Sequence, residues 1–494
     1  MESSELRNTT PGGGPGAGDE GYAKSLTNRQ IQMIAIGGAI GVGLFLGVGG
    51  RLEFAGPGLM LSYAISGIAA FFVMRALGEL VMHRPTAGSF VEYAREFIGP
   101  WAGYASGWMF WVNWAMTGIA EITAAALYVE RWLPDVPQWI TALVALAVLL
   151  TVNLLSVKLF GEMEFWFALV KAIAIILFLF VGLSLVVTGA GVGDTGYHAG
   201  LHNLTDHGGF LPKGFGVVLM ALQGVVFAFA AIEMVGIAAG ETDNPRKVVP
   251  KAINSVVWRI AFFYIGSVLL LTLVLPWTVY RSDESPFVTV FSAIGLPAAG
   301  DVMNAVVLTA ALSSCNSGLY STGRILRSLA SRGEAPAFTA RMSRRHVPYG
   351  GILFTAVVYL FGVFLNYWVP KDAFDIAVNV ASLGVITTWM TLLYSQIRFR
   401  QKVRRGEVEP STFRMPGAPV SGWLTLAFLV GVLVLMVFSD DWKQQVSVGL
   451  APVLAVVLAV GWWVISRRRR PGAAPGASPA GGPRGGGATA APKG

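Results

Sequence analysis

Long apolar stretches separated by short polar ones run along most of the chain. Twelve stand out, at 30–50, 58–82, 101–130, 139–157, 164–188, 215–239, 257–279, 300–322, 349–369, 374–397, 421–439 and 447–466. Each approaches the roughly 20 residues that cross a ~30 Å hydrocarbon core at ~1.5 Å per residue. Only helices and closed barrels satisfy their backbone polar groups in lipid, and barrel strands alternate polar with apolar residues, which these stretches do not. The pattern predicts an all-α polytopic membrane protein with twelve transmembrane helices in a domain spanning 26–466. Residues 1–25 are polar and rich in Gly and Pro, with no apolar run before Ile31, and so predict a disordered tail rather than a cleavable signal peptide. Residues 467–494 carry an Arg cluster and then little but Pro, Gly and Ala, too few apolar side chains to fold, which predicts a second tail.

Composition agrees. Hydrophobic residues make up 54% and charged residues 13%, against about 25% charged in soluble domains. Mean hydropathy is +0.60. The net charge of +8 suggests nucleic acid until the basic residues are located. With the N-terminus cytoplasmic, six of the 36 Lys and Arg lie outside (Arg51, Arg131, Lys213, Arg281, Lys371, Lys443), Lys171 lies within a span, and the other 29 lie inside. That asymmetry is the positive-inside signal. It predicts a multi-pass protein of the inner (plasma) membrane with both termini cytoplasmic, the lipid bilayer as partner and no nucleic acid. The single cysteine, Cys315, excludes an intramolecular disulfide and reads as packing among small residues. His198, His202 and His207 share a loop with one carboxylate, Asp206, and read as solvated. With no metal-ligand spacing, phosphate-cradling loop or nucleophile triad, no metal, cofactor or enzymatic activity is predicted.

Four glycines, Gly37, Gly38, Gly41 and Gly43, fall within seven positions of the first span. Each costs about 1 kcal/mol against Ala in a helix interior. The segment is either unwound beside a cavity or packed closely against another helix, and the residues leave both readings open. Glu233 is an acid deep in the sixth span, where a charge needs a cavity or a partner; the bland reading is a hydrogen-bonded acid that locks helices together. Asn113, Thr117 and Glu121 are spaced i, i+4, i+8 and share a helix face, either along a wet pathway or in an interhelical seam. Thr309, Ser313, Ser314, Asn316 and Ser317 in the eighth span are individually weak signals, because hydroxyls often bond back to their own helix. Lys171 lies seven residues inside the apolar segment that begins at Glu164. It either carries an exchangeable proton or snorkels to the membrane surface.

Several segments together resemble the amino acid transporter family of the amino acid–polyamine–organocation superfamily. They are LTNRQIQMIAI (26–36) running into GGAIGVGLFLG (37–47), MRALGEL (74–80), GPWAGYASGW (99–108), GEMEFWFALVKAIAI (161–175), KAINSVVWRI (251–260) and NSGLYSTGRILRSLASRGEAP (316–336). The resemblance covers roughly residues 20–465. Within the family, RPTAGSFVEYAREF (84–97), WAMTGIAEITA (114–124) and QGVVFAFAAIEMVG (223–236) look most like its asparagine-carrying branch. Two positions depart: Val42 stands where the family usually has Thr, and Glu121 where the branch has Asp.

The resemblance implies two inverted five-helix repeats, spans 1–5 and 6–10, plus two C-terminal helices, with the first span of each repeat broken at mid-membrane. It implies that backbone N–H groups around Ile40, Gly41 and Gly43 hold a substrate carboxylate. The carbonyls near Ala39 and at Phe227, Ala230 and Ile232 would hold the ammonium. Phe227 resembles an aromatic that closes over the substrate from outside. Lys171 resembles a lysine standing at the sodium position of sodium-coupled relatives, which implies the proton as coupling ion. Asn113, Thr117 and Glu121 are expected at the substrate, and Lys171 and Glu233 in coupling or gating. The resulting expectation is an L-asparagine:proton symporter working by alternating access. The alternatives are a permease for another small neutral amino acid (Gly, Ala or Ser), a non-transporting sensor, or a channel. Short featureless tails weigh against a sensor, and few, isolated acids against a channel.

Overall fold

The computed structural model describes residues 40–86, 88–155, 157–239, 245–296 and 298–468. The N-terminal tail, nearly all of the C-terminal one and Ala39 lie outside the described residues. The described chain is helical apart from its loops and one isolated bridge between Gly191 and His198.

Two short helices come first, α1 (Val42–Phe45) and α2 (Gly47–Ala55), and a tight turn over Gly56–Gly58 leads into α3 (Leu59–His83). Then follow α4 (Ser89–Phe97), α5 (Pro100–Glu130), α6 (Gln138–Leu155) and α7 (Val157–Thr188). Beyond an exposed loop, three short helices form one interrupted rod: α8 (Phe215–Met220), α9 (Leu222–Ala228) and α10 (Met234–Ala239). Next is α11 (Pro245–Arg259), which passes through a π-helical stretch at Ile260–Gly266 into α12 (Ser267–Val274). The remainder comprises α13 (Pro286–Ala293), α14 (Ala299–Ser331), α15 (Tyr349–Trp368), α16 (Ala373–Arg404), α17 (Val420–Val437) and α18 (Trp442–Arg468).

Among the described residues, nine segments are long and apolar enough to cross a bilayer. The protein is therefore an all-helical, multi-pass membrane protein. Three expected spans do not appear as separate members of that set, each for a physical reason. The first two run together, because the chain stays helical across Gly56–Gly58 and Val42–His83 reads as one segment. The third, α5, has 31 residues, but its Trp, Gly, Asn, Thr and Glu side chains lower its hydropathy. The sixth is broken, leaving the short apolar stretch Phe215–Ala228.

Burial sorts the helices into layers. The most apolar stretches of α14 and α16 are 67% and 78% buried, those of α6 and α7 only 28%, and that of α18 not at all. The inner layer is thus α5, α14 and α16, packed on one another around the short helices. The outer helices turn residues such as Phe180, Val187, Phe438 and Val456 outward. Such a surface would be an aggregation hazard in water and is matched to lipid here.

Several helices outrun their predicted ends. The structure carries α14 to Ser331 and α16 to Arg404, past 322 and 397, and α11 begins at Pro245 rather than 257. Polar last turns are helical yet carry no hydropathy signal. The same blindness hid α4, a nine-residue amphipathic helix that buries Phe90, Val91, Tyr93 and Phe97. Its Arg95 makes a two-pronged ion pair with Glu334 at 2.8 and 2.7 Å, joining α4 to the segment after α14.

Candidate functional site

The sixth span breaks where the sequence placed Glu233. Helix α9 ends at Ala228 and α10 starts at Met234, and between them Ala231 holds φ at 71°, a conformation rare for a residue with a Cβ. Tertiary contacts must hold it there. The Phe227 carbonyl accepts from Ala230 N at 2.9 Å and the Ile232 carbonyl from Val235 N at 3.4 Å, whereas the Ala230 carbonyl accepts no backbone hydrogen bond among the described residues. The buried Glu233 carboxylate folds back toward the N–H groups of Ala231 and of Glu233 itself, and its Oε2 accepts from Trp389 Nε1 of α16 at 3.3 Å. Glu233 thereby braces the break against α16.

The first span has a matching irregularity. Gly41 is extended (φ −128°, ψ −166°), and α1 begins one residue later. Leu44 N and Phe45 N both bond to the Gly41 carbonyl. The N–H groups of Val42 and Gly43 precede any helical acceptor, so they point out of the helix start. The start of α1 meets the break in the sixth span at Gly43. A Cβ there would lie 2.8 Å from Ala228 Cα and 3.2 Å from a Phe227 ring carbon. Here the glycine serves close approach, the packing reading; Gly41 is extended ahead of α1, and the glycines Gly37 and Gly38 lie outside the described residues.

Glu121 of α5 reaches this contact. Its carboxylate faces the Val42 N–H and the Ser314 hydroxyl, and a Cβ at Gly41 would lie 3.3 Å from its Oε1 and 3.5 Å from Ser314 Oγ. Asn113 and Thr117 do share the Glu121 face, but they turn to each other and to α16. Thr117 Oγ1 donates to Asn113 Oδ1 at 3.3 Å, and Gly384 lets α16 close onto the Asn113 backbone. Of the three, Glu121 is the one whose contacts reach the first break.

Lys171 is fully buried on α7, so its ammonium does not snorkel. Nζ donates to Ser313 Oγ of α14 at 3.1 Å, and Ser313 in turn donates to Glu164 Oε1 at 2.8 Å. Lys171 lies in the field of two carboxylates, Glu164 and Glu121. One polar cluster thus joins α5, α7 and α14 beside the first break, whereas Glu233 sits apart with its own partners.

Sequence reasoning passed over two participants. Glu164 looked like the polar edge of a span, yet it is fully buried. Its spacing of seven from Lys171, two turns on one face, was the available signal. Arg51 looked like an exterior loop charge. It is partly buried, and its guanidinium donates to the Gly43 carbonyl at 3.1 Å while lying against Gly47 and Gly224. Nothing local in the sequence marks that. Among the described residues no group of His, Cys, Asp and Glu could hold a metal ion.

Comparison with known proteins bears on what this arrangement belongs to. The L-asparagine permease of Salmonella typhimurium is 57% identical over 454 residues, which is 92% of this chain and 91% of that one. The L-asparagine permease of Escherichia coli strain K12 is 56% identical over 92% of this chain and 90% of its own. That of Streptomyces coelicolor is 57% identical over 92% of both. Residues 30–474 match the family described as amino acid permease. With similarity running through the broken spans and the buried cluster alike, the chain belongs to the amino acid permease family.

Proposed function

We propose that the protein imports L-asparagine by proton symport with alternating access, as a carrier and not an enzyme. The observation that carries this reading is the identity above 50%, over 92% of this chain, with three proteins named L-asparagine permease. The geometry is consistent with it. The start of α1 and the break in the sixth span, in this reading, offer backbone N–H groups near Val42 and Gly43 to a carboxylate, and carbonyls near Ala230 to an ammonium. In this reading Ile40, Gly41, Gly43, Phe227, Ala230 and Ile232 line the substrate site together with Glu121, and Asn113 and Thr117 support it from α5. Lys171 carries the coupling charge and Glu233 gates the second break.

Twelve crossings arranged as two inverted repeats of five plus two would put both termini in the cytoplasm, with the Arg400 end of the bundle inward. The membrane would be the bacterial plasma membrane. The test is uptake of labelled L-asparagine into proteoliposomes carrying the purified chain, driven by an imposed pH gradient. Unlabelled asparagine should compete strongly, and glycine, alanine and serine weakly. Stronger competition by those three would move the assignment to a small-neutral amino acid carrier, and sodium-dependent, pH-independent uptake would remove proton coupling.

A further inference from the structure

Glu164 and Lys171 stand two turns apart on one face of α7, roughly 10 Å along the helix axis. Both are fully buried, and so is Ser313, the side chain between them. A hydroxyl has one proton and two lone pairs, so Ser313 can accept from Lys171 Nζ at 3.1 Å while donating to Glu164 Oε1 at 2.8 Å. The three side chains form a continuous donor-to-acceptor chain. It points from Lys171 toward the start of α7, the end of the bundle where Arg345 Nη1 caps the Leu155 carbonyl at 3.1 Å.

The surroundings of Glu164 are polar without being charged. Its Oε2 makes no hydrogen bond among the described residues and lies near Asn316 and Ser317 of α14. Asn153 of α6 donates to Asn316 Oδ1 at 2.7 Å and closes the group. Lys171 acts on Glu164 as its opposite charge, and Glu121 and Glu164 lie in each other's field as like charges. From α5, Glu121 acts on Lys171. Helix α6 contributes no ionisable side chain, nor does α12. Tyr264, in the π-helical stretch beside α7, instead stacks with Phe229 and Tyr63. Cys315 and Tyr359 lie on the Glu121 side.

One ammonium and two carboxylates, all ionised and all dry, would leave a net buried negative charge. An isolated buried charge is far costlier than an added proton, so the cluster is built to take one up. We propose that Glu164 is the inward proton station of this carrier, exchanging a proton with Lys171 through the Ser313 hydroxyl. The inference rests on the reading of Lys171 as the coupling residue. The step is a pure proton transfer. An N–H bond of the Lys171 ammonium breaks as Ser313 Oγ takes that proton, and the hydroxyl's own O–H breaks as its proton bonds to Glu164 Oε1. Neutral amine, restored hydroxyl and carboxylic acid result. Glu164 then loses its proton to water when the inward end opens, and Lys171 is reprotonated when the site faces out.

The test uses the full chain in proteoliposomes with two readouts: asparagine exchange, which needs no driving force, and accumulation driven by a pH gradient. E164Q is expected to lower the rate of accumulation by about a hundredfold more than it lowers exchange, the low end for a lost proton-transfer group, and to flatten its dependence on internal pH. S313A, which removes only the bridging hydroxyl, should do the same, and E164D should restore much of the accumulation. The proposal is overturned if E164Q and S313A keep the wild-type ratio of accumulation to exchange and the wild-type pH profile. If E164Q fails to fold, S313A decides alone by the same two criteria. Failure of the wild type to accumulate asparagine under a pH gradient, with exchange intact, would instead overturn the symport reading and the relay with it.

Discussion

Arg51 donates from Nη1 to the carbonyl of Gly43 at 3.1 Å, reaching eight residues back along its own half of the first span. The same guanidinium lies against Gly47 and Gly224, so one side chain binds α2 to α9. A clamp of this kind should hold the outer half of the site shut. Arg51→Ala is therefore expected to raise labelling of the buried native thiol Cys315 by a membrane-impermeant maleimide added from outside. Arg51→Lys should not restore protection, since an ammonium lacks the planar fork. An unchanged labelling rate would show that Arg51 is not what keeps this side closed.

The two glycines of the first break should respond differently. Gly43 meets the Ala228 backbone, which cannot yield, so Gly43→Ala should cost about 1–3 kcal/mol of overpacking and abolish transport. Gly41 meets only side-chain oxygens at 3.3 and 3.5 Å, and its φ of −128° suits any residue. Gly41→Ala should accordingly keep expression and weaken half-saturation severalfold, while the bulkier Gly41→Val should lose uptake. Equal losses for Gly41→Ala and Gly43→Ala would remove the distinction between a site glycine and a packing one.

Glu79 is a stability determinant away from the site. It is 3% exposed and accepts from Arg400 at 2.8 and 3.0 Å, from Gln396 at 2.9 Å and from Met415 N at 2.9 Å, tying α3 to α16 and to the segment before α17. Removing one member of a buried pair strands the other, at a cost of about 3 kcal/mol. Glu79→Ala should lower the temperature at which detergent-solubilised protein loses its monodisperse peak, and Glu79→Gln should lower it less. Equal melting of Glu79→Ala and wild type would mean that Arg400 finds adequate compensation in the Ala418 and Met415 carbonyls.

What could be foreseen follows from which forces act locally. Hydropathy marks helices facing lipid, so the outer α6, α7, α17 and α18 were legible, whereas α4 and the polar ends of α14 and α16 were not. A weak point in the first span was legible because four glycines cluster there, though not whether it was unwound or packed, and the break in the sixth followed only from the family resemblance. The Asn113–Thr117–Glu121 face followed from helical spacing alone. That spacing could not tell that Asn113 and Thr117 pair while Glu121 reaches Val42, because the difference is set by α16 closing on Gly384. Ser313 and Arg51 became informative only once the fold set them beside Glu164 and Gly43, partners far away in sequence or around the helix.

Glu121 stands where backbone donors and substrate selectivity meet. Its carboxyl group faces the Val42 N–H at the start of α1, beside the backbone donors proposed to receive a substrate carboxylate, and the Ser314 hydroxyl of α14. A carboxyl oxygen can also accept from the NH₂ of a carboxamide side chain. A site built to bond a polar group rejects analogues that leave its own groups unpaired. Asparagine and glutamine should therefore compete for uptake, and leucine should not. Aspartate should fail because its side-chain carboxylate has no N–H to offer and leaves the Glu121 acceptor oxygen unpaired. Glu121→Gln supplies an amide N–H in its place, so it should admit aspartate while weakening asparagine by about tenfold, the equivalent of about 1.4 kcal/mol. Glu121→Asp keeps the carboxyl group and should largely preserve asparagine uptake, although its shorter stem draws that group back from Val42. Inhibition constants for the four amino acids against labelled asparagine, measured in cells expressing each variant, decide the matter. If Glu121→Ala leaves both the profile and the rate untouched, Glu121 is a structural contact between α5 and the first break, and selectivity lies with α9, α14 and α16.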